Sequence, residues 1–283
     1  MYEYKGIKIN YKEYGNKDKD AIVYLHGWGQ NIQMMEPIAD PFVDTNHLII
    51  IDLPGFGASE EPKEVWSLED YVDMIHSLLE SLNAKNVNLI GHSFGGKLSI
   101  IYGAKYNPKR IVLLASPYEV KMGKPSKKVQ FLKKFKNVPV LNKVADKIKR
   151  NMGSTDYRNA TPRMRDILVK HVNTDVTELA KQIKCPTLII WGTADEAVPY
   201  EDAVKLEKLI KDAGLVTYEG NTHYVYLERL GQTINVLKAF YKVFLDKSLI
   251  TSYSENIKDI LNFFNNFNFE TLEPEGQIKE LAN

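Results

Sequence analysis

Asn86-Val87-Asn88-Leu89-Ile90-Gly91-His92-Ser93-Phe94-Gly95-Gly96 begins as a short apolar run, breaks at a glycine, presents a serine and continues into a helix-like pattern. Its core, Gly91-His92-Ser93-Phe94-Gly95, fits G-x-S-x-G. The spacing has a steric reason. A serine on a sharp strand-to-helix turn carries a strained backbone and an exposed hydroxyl. Strand and helix pass so closely there that the positions two before and two after it must be small. Gly96 adds a second small residue on the helix side. The first amides of the following helix lie near the serine and favour developing negative charge. A glycine-rich β–α turn without chemistry carries the same pentapeptide, so the surroundings must discriminate. The catalytic reading needs a strand before, a helix after, and an acid then a histidine downstream.

Working outward, short apolar runs recur. Ala21-Ile22-Val23-Tyr24-Leu25 ends at His26-Gly27-Trp28-Gly29, and Leu48-Ile49-Ile50-Ile51 ends at Asp52-Leu53-Pro54-Gly55-Phe56-Gly57. Ile111 to Ala115 and Thr187 to Trp191 have the same texture. Unbroken runs of this length suit parallel strands buried on both faces. Residues 2–14 alternate and predict one or two edge strands. Ser67 opens a helix with Asp70 placed to return the capping contact. A helix follows the serine to about Lys105. Glu201 to Asp212 predicts a helix closed by Gly214, Leu215 to Tyr218 a last strand, and Ile234 to Leu245 a last helix. Alternating strands and helices give an α/β fold with a mostly parallel, doubly wound sheet, and ligands bind such sheets outside the carboxyl ends of the strands. His26, Asp52, Ser93 and Asp195 all follow strands, so they gather on one edge.

The acid candidate is Asp195, in Gly192-Thr193-Ala194-Asp195, with Glu196 and Glu119 as runners-up. Of the six histidines, His223 alone falls in a loop after the last strand, where a base can reach back to Ser93. The order Ser93, Asp195, His223 is the one this architecture requires. Two backbone N–H groups must face the developing oxyanion. Phe94, after the nucleophile, and Trp28, in the glycine-flanked loop, are placed to supply them. His26 reads as fixing that loop by hydrogen bonding, and His92 as packing at the pocket wall.

His26-Gly27, Asp52-x-Pro54-Gly55-x-Gly57, Gly91-x-Ser93-x-Gly95, Gly192-x-x-Asp195 and Gly220-x-x-His223 occur together and in order over about residues 5–246. On these motifs the chain resembles the α/β-hydrolase superfamily. The resemblance implies a serine hydrolase, most simply a carboxylic ester hydrolase of small to medium acyl chains, with a helical cap over the site. The segment from His26 to Asn31 is similar to the oxyanion loop of pimeloyl-carrier-protein methyl esterases, which carry tryptophan where this chain has His92. Serine at 93 argues against the dehalogenase and epoxide hydrolase activities that use aspartate there. The triad itself equally suits a thioester, an amide or a carbon–carbon bond, and a non-catalytic ligand-binding protein on the fold is the reading from another class.

The chain has 283 residues, a net charge of +1 and one cysteine, Cys185. Neutral charge gives no argument for nucleic acid, and a lone cysteine excludes an internal disulfide framework. There is no Cys/His cluster with zinc spacing, and neither a metal nor an organic cofactor is expected. The first residues lack a signal pattern and no apolar run reaches membrane-spanning length, so a cytoplasmic protein is expected. The core is expected over 1–117 and 182–246, the cap over 118–181 and a C-terminal extension over 247–283. Between Tyr118 and Asp175 there are fifteen lysines and arginines against five acids. Such a basic cap is either a solvated face or a surface for anions: an anionic ester substrate, an acidic carrier protein or a membrane surface. An apolar series including Val129, Phe131, Leu132 and Phe135 gives it a second, apolar side. The aromatic-rich Phe263 to Phe269 is expected to dock on the body, on a partner or over the site.

Overall fold

A computed structural model describes residues 1–120 and 155–243. The basic run from Lys121 to Arg150 and the extension beyond residue 246 therefore lie outside the described residues, as do the apolar series and the aromatic segment within them. Nine strands are described: β1 (Tyr2–Tyr4), β2 (Ile7–Ile9), β3 (Tyr11–Gly15), β4 (Asp20–Leu25), β5 (His47–Ile51), β6 (Lys85–His92), β7 (Arg110–Leu114), β8 (Thr187–Gly192) and β9 (Ala213–Tyr218). The described helices are α1 (Glu36–Ala39), α2 (Leu68–Ser81), α3 (Phe94–Tyr106), α4 (Thr155–Asn159), α5 (Pro162–Asn173), α6 (Thr177–Ala180), α7 (Tyr200–Leu209), α8 (Val225–Glu228) and α9 (Leu230–Val243).

Seven strands form one sheet in the order β3-β5-β4-β6-β7-β8-β9. Only β3 runs antiparallel, at the edge beside β5. The alternating N-terminal stretch makes three strands rather than one or two, because β1 and β2 pair with each other in a separate antiparallel ribbon. Burial along the central strands explains their unbroken apolar character. Val23 and Leu25 face one core with α2 and α3, while Ile22 and Tyr24 face the other with α1 and α9. Both faces of each strand must be apolar when helices cover both sides of the sheet. The Ser67–Asp70 capping box is formed in both directions, at 3.2 and 2.9 Å, and starts α2.

One expected boundary is corrected. The helix from Tyr200 stops at Leu209, and Gly214 is not its cap. Ala213 and Gly214 instead pair with Thr187 and Leu188 as the first residues of β9, so strand pairing overrides the C-cap signal.

The close packing at the serine turn is visible at the glycines. A Cβ on Gly95 meets the Leu25 carbonyl oxygen at 2.2 Å, and one on Gly91 meets the Gly95 carbonyl oxygen at 2.4 Å. Both contacts are with backbone, which has no rotamer to yield. Gly95→Ala is expected to lower stability by about 2–3 kcal/mol and Tm by roughly 3–5 °C. Gly231→Ala, in α9 with open space around it, gains helix propensity and is expected to leave Tm unchanged or slightly raised. Thermal unfolding of the two variants checks the pair.

Candidate active site

The serine turn has an unusual backbone. Ser93 lies at φ 49° and ψ −108°, in the half of conformational space that L-residues avoid. Such a conformation costs about 1–3 kcal/mol and persists only where its surroundings hold it. Here they do: Ser93 N–H donates to the Leu114 carbonyl at 2.9 Å, and Gly95 N–H donates to the His26 carbonyl at 3.1 Å. The serine turn is thus tied to β7 on one side and to the end of β4 on the other.

Asp195 and His223 come together from loops 28 residues apart. The Asp195 carboxylate is buried and its Oδ2 lies 2.7 Å from His223 Nδ1. Its Oδ1 accepts the Ala197 and Val198 N–H groups, each at 2.8 Å. The two loops are bonded directly, Ala194 N–H donating to the Asn221 carbonyl at 2.9 Å. A side chain at Gly192 is excluded because its Cβ would lie 2.1 Å from that same carbonyl oxygen. Glu196 is exposed, and Glu119 is turned to Lys205 at 3.2 Å, so neither alternative acid reaches the histidine.

Ser93, His223, Trp28 and His92 line one cavity of about 580 Å³. Among the described residues the backbone N–H groups of Trp28 and Phe94 have no acceptor, whereas those of Gly27, Gln30, Ser93 and Gly95 each have one. An unpartnered N–H at a cavity wall is a donor held ready for something else. The Trp28 loop is braced from behind. His26 Nε2 accepts the Leu53 N–H at 2.9 Å while its Nδ1 donates to the Gly27 carbonyl at 2.7 Å. Asp52 Oδ1 accepts the Ile32 N–H at 2.8 Å and its Oδ2 the Ala58 N–H at 2.8 Å. His92 bonds across to the loop of His223. Its Nε2 donates to the His223 carbonyl at 3.0 Å, and its Nδ1 lies 3.1 Å from Gln30 Oε1, which itself accepts the Gly27 N–H.

Three residues that sequence reading passed over belong to this region. Glu228, from α8, clamps the His223 loop by accepting the Thr222 N–H at 2.8 Å and the Asn221 side-chain amide at 3.0 Å. His171, at the end of α5, lines the cavity and stacks on Trp28 with their planes 6° apart. Asp156 brings the one aspartate or glutamate among the described lining residues. Only the Asn221–Glu228 spacing carried any local sign of these contacts. Among the described residues no group of three or more His, Cys, Asp or Glu side chains is placed to hold a metal ion, and no helix is long and apolar enough to cross a membrane.

Burial depresses His26 to about 4, and both His92 and His171 to about 3, because desolvation penalises the imidazolium. These rings are neutral when folded and take a proton near pH 6.5 when unfolded. Their contribution to stability is therefore complete above about pH 6.5 and is lost as pH falls towards the folded values. Each adds a slope of about 1.4 kcal/mol per pH unit in that window. Between pH 7.5 and 5, His171→Phe is expected to lose about 2 kcal/mol less unfolding free energy than the wild type. Denaturant titrations at the two pH values measure it.

The fold and this geometry agree with what the chain is similar to. Residues 20–166 match the family model described as alpha/beta hydrolase fold, and residues 165–241 match one described as TAP-like protein. The chain is 30% identical to Lipase 1 of Psychrobacter immobilis over 262 residues, covering 84% of this chain and 82% of the lipase. It is 27% identical to a bifunctional esterase/perhydrolase of Acinetobacter calcoaceticus, covering 77% of this chain and 90% of that one. A bromoperoxidase from Bacillus anthracis shares the fold with a TM-score of 0.67 at 23% identity, over 83% of this chain and 96% of the other. The chain belongs to the α/β-hydrolase fold family and is an esterase-like hydrolase within it.

Proposed function

We propose that the protein is a serine ester hydrolase for small to medium acyl chains, with Ser93, His223 and Asp195 as its catalytic triad. Ser93 Oγ attacks the ester carbonyl carbon, and His223 Nε2 takes its proton. Asp195, at 2.7 Å from Nδ1, keeps Nδ1 protonated so that Nε2 holds the lone pair, and then stabilises the imidazolium. The carbonyl oxygen becomes an oxyanion and accepts the Trp28 and Phe94 N–H groups. Collapse of this intermediate expels the alcohol, which receives the proton from His223. Water, deprotonated by His223, then releases the acid from the acyl-enzyme and restores Ser93.

The observation that carries this reading is a single cavity lined by Ser93, by a histidine held at Nδ1 by a buried carboxylate, and by a loop with an unpartnered N–H. Its volume lies within the range of small-molecule pockets. Relatives named lipase and esterase support the ester bond over the thioester, amide and carbon–carbon alternatives. The described lining contains Asp156 and no lysine or arginine, which favours a neutral ester over an anionic one. We read α4, α5 and α6, inserted between β7 and β8, as part of the cap. Hydrolysis of p-nitrophenyl acetate, butyrate, octanoate and palmitate tests the assignment. The expected profile peaks at butyrate to octanoate. Selective turnover of palmitate, or turnover of a thioester or amide in place of all four esters, contradicts it.

A further inference from the structure

Lys97 lies one turn beyond Ser93 on α3 and is 1% exposed. Lysine is rarely buried, because its ammonium loses hydration that few interior sites replace. Among the described residues its Nζ makes one hydrogen bond, donated to the His171 carbonyl at 2.9 Å. That carbonyl is at the C-terminal end of α5, where it also accepts the capping Thr174 N–H. Unsatisfied carbonyls at a helix C-terminus favour a cation, and the Asp175 carboxylate nearby adds to this. Burial nevertheless lowers Lys97 to about 8. A methionine fills the same space at no desolvation cost, so what the lysine adds is a directed bond between the nucleophile helix and α5.

The residue so held is the one whose ring covers the oxyanion region. His171 stacks parallel to Trp28 at 6.0 Å and meets Phe94 edge-on at 4.6 Å. Trp28 and Phe94 are themselves in edge contact at 5.3 Å. The His171 Nδ1 is buried without a partner among the described residues, so the ring is placed by packing and by its backbone. Leu168, Val169 and Val172 of the same helix line the cavity with it.

We propose that Lys97 and His171 form a latch that fixes the α5 wall of the pocket against the nucleophile helix, and that this latch sets the size of ester accepted. Both act as positioning residues, and the inference rests on the assignment of Ser93 as nucleophile. The latch excludes bulk next to the oxyanion site. Releasing it lets α5 and the ring retreat, which admits longer chains and holds short ones less well.

The test compares kcat and KM for p-nitrophenyl acetate and octanoate in wild type, Lys97→Met, His171→Ala, His171→Phe and the Lys97→Met/His171→Ala double variant. Lys97→Met is expected to raise the octanoate-to-acetate ratio of kcat/KM by about tenfold, the scale on which hydrophobic pockets discriminate size, chiefly through KM. His171→Ala retains the backbone carbonyl and the Lys97 bond, and is expected to shift the ratio in the same direction. It therefore tests the latch even where Lys97→Met does not fold. His171→Phe keeps a stacked ring and is expected to restore an octanoate-to-acetate ratio within about twofold of wild type, whatever its absolute rate. In the His171→Ala background Lys97→Met is expected to add less than about twofold, because the Lys97 bond acts on the site through the ring that His171→Ala has already removed. Equal losses on both esters, an unchanged ratio, or independent multiplying effects overturn the latch. An active wild type with an unchanged ratio overturns the latch alone, whereas a wild type inert to every ester overturns the esterase assignment and the latch together.

Discussion

Ser93→Ala is expected to lower kcat/KM for the preferred p-nitrophenyl ester by about 10⁵-fold or more, with Tm nearly unchanged. Removing the nucleophile leaves binding and the N–H groups of Trp28 and Phe94, which retain only a modest rate advantage over water. Alanine preserves the turn. The strain at φ 49° falls on any residue with a Cβ, so alanine neither relieves nor adds to it. The Ser93 N–H keeps the Leu114 carbonyl as its acceptor, and the turn stays closed. Steady-state kinetics alongside thermal unfolding separates lost chemistry from lost fold. A variant with the wild-type Tm that retains a tenth of the activity or more removes Ser93 from the mechanism.

Asp195→Asn is expected to cost about 10⁴-fold in kcat, the scale seen when the histidine of such a triad is driven into the wrong tautomer. The hydrogen bonds around Asp195 decide which tautomer. Oδ1 accepts two backbone N–H groups, from Ala197 and Val198, so an asparagine must place its carbonyl oxygen there. Its NH₂ then occupies the position of Oδ2 and donates to His223 Nδ1. A ring that accepts at Nδ1 carries its proton on Nε2 and has no lone pair for Ser93. The two backbone bonds survive, so stability changes little. Asp195→Ala, which imposes no tautomer, is expected to retain more activity than Asp195→Asn. Comparison of kcat for the two variants reads the difference, and an asparagine variant more active than the alanine variant contradicts the account.

The tight serine turn was legible because part of its constraint is local: a Cβ on Gly91 would meet Gly95 and Ser99 within one turn of the motif, whereas Gly95 is held to glycine by Leu25 on β4. The strands were legible for a related reason, since burial on both faces forces continuous apolar runs such as Leu48 to Ile51. The proximity of Asp195 and His223 was legible only as chain order, through a resemblance spanning several motifs. What escaped depends on tertiary contact. Gly214 looks like a helix cap until β8 is seen to pair with it. Lys97 looks like one more exposed helical lysine, because nothing near it in sequence announces the carbonyl 74 residues away that accepts its bond. His171 falls within the basic insert, and nothing in its neighbours announces that its ring lines the cavity. The charge of that insert is carried mostly by the run from Lys121 to Arg150, outside the described residues.

The most direct test of the central claim is covalent labelling with a fluorophosphonate probe, followed by mass spectrometry of the labelled peptide. One probe per chain is expected, attached to Ser93, absent in Ser93→Ala and bound far more slowly in Asp195→Asn. A folded wild type that takes up no probe, or that takes it up at another residue while Ser93 stays free, contradicts the assignment of this site as a serine hydrolase.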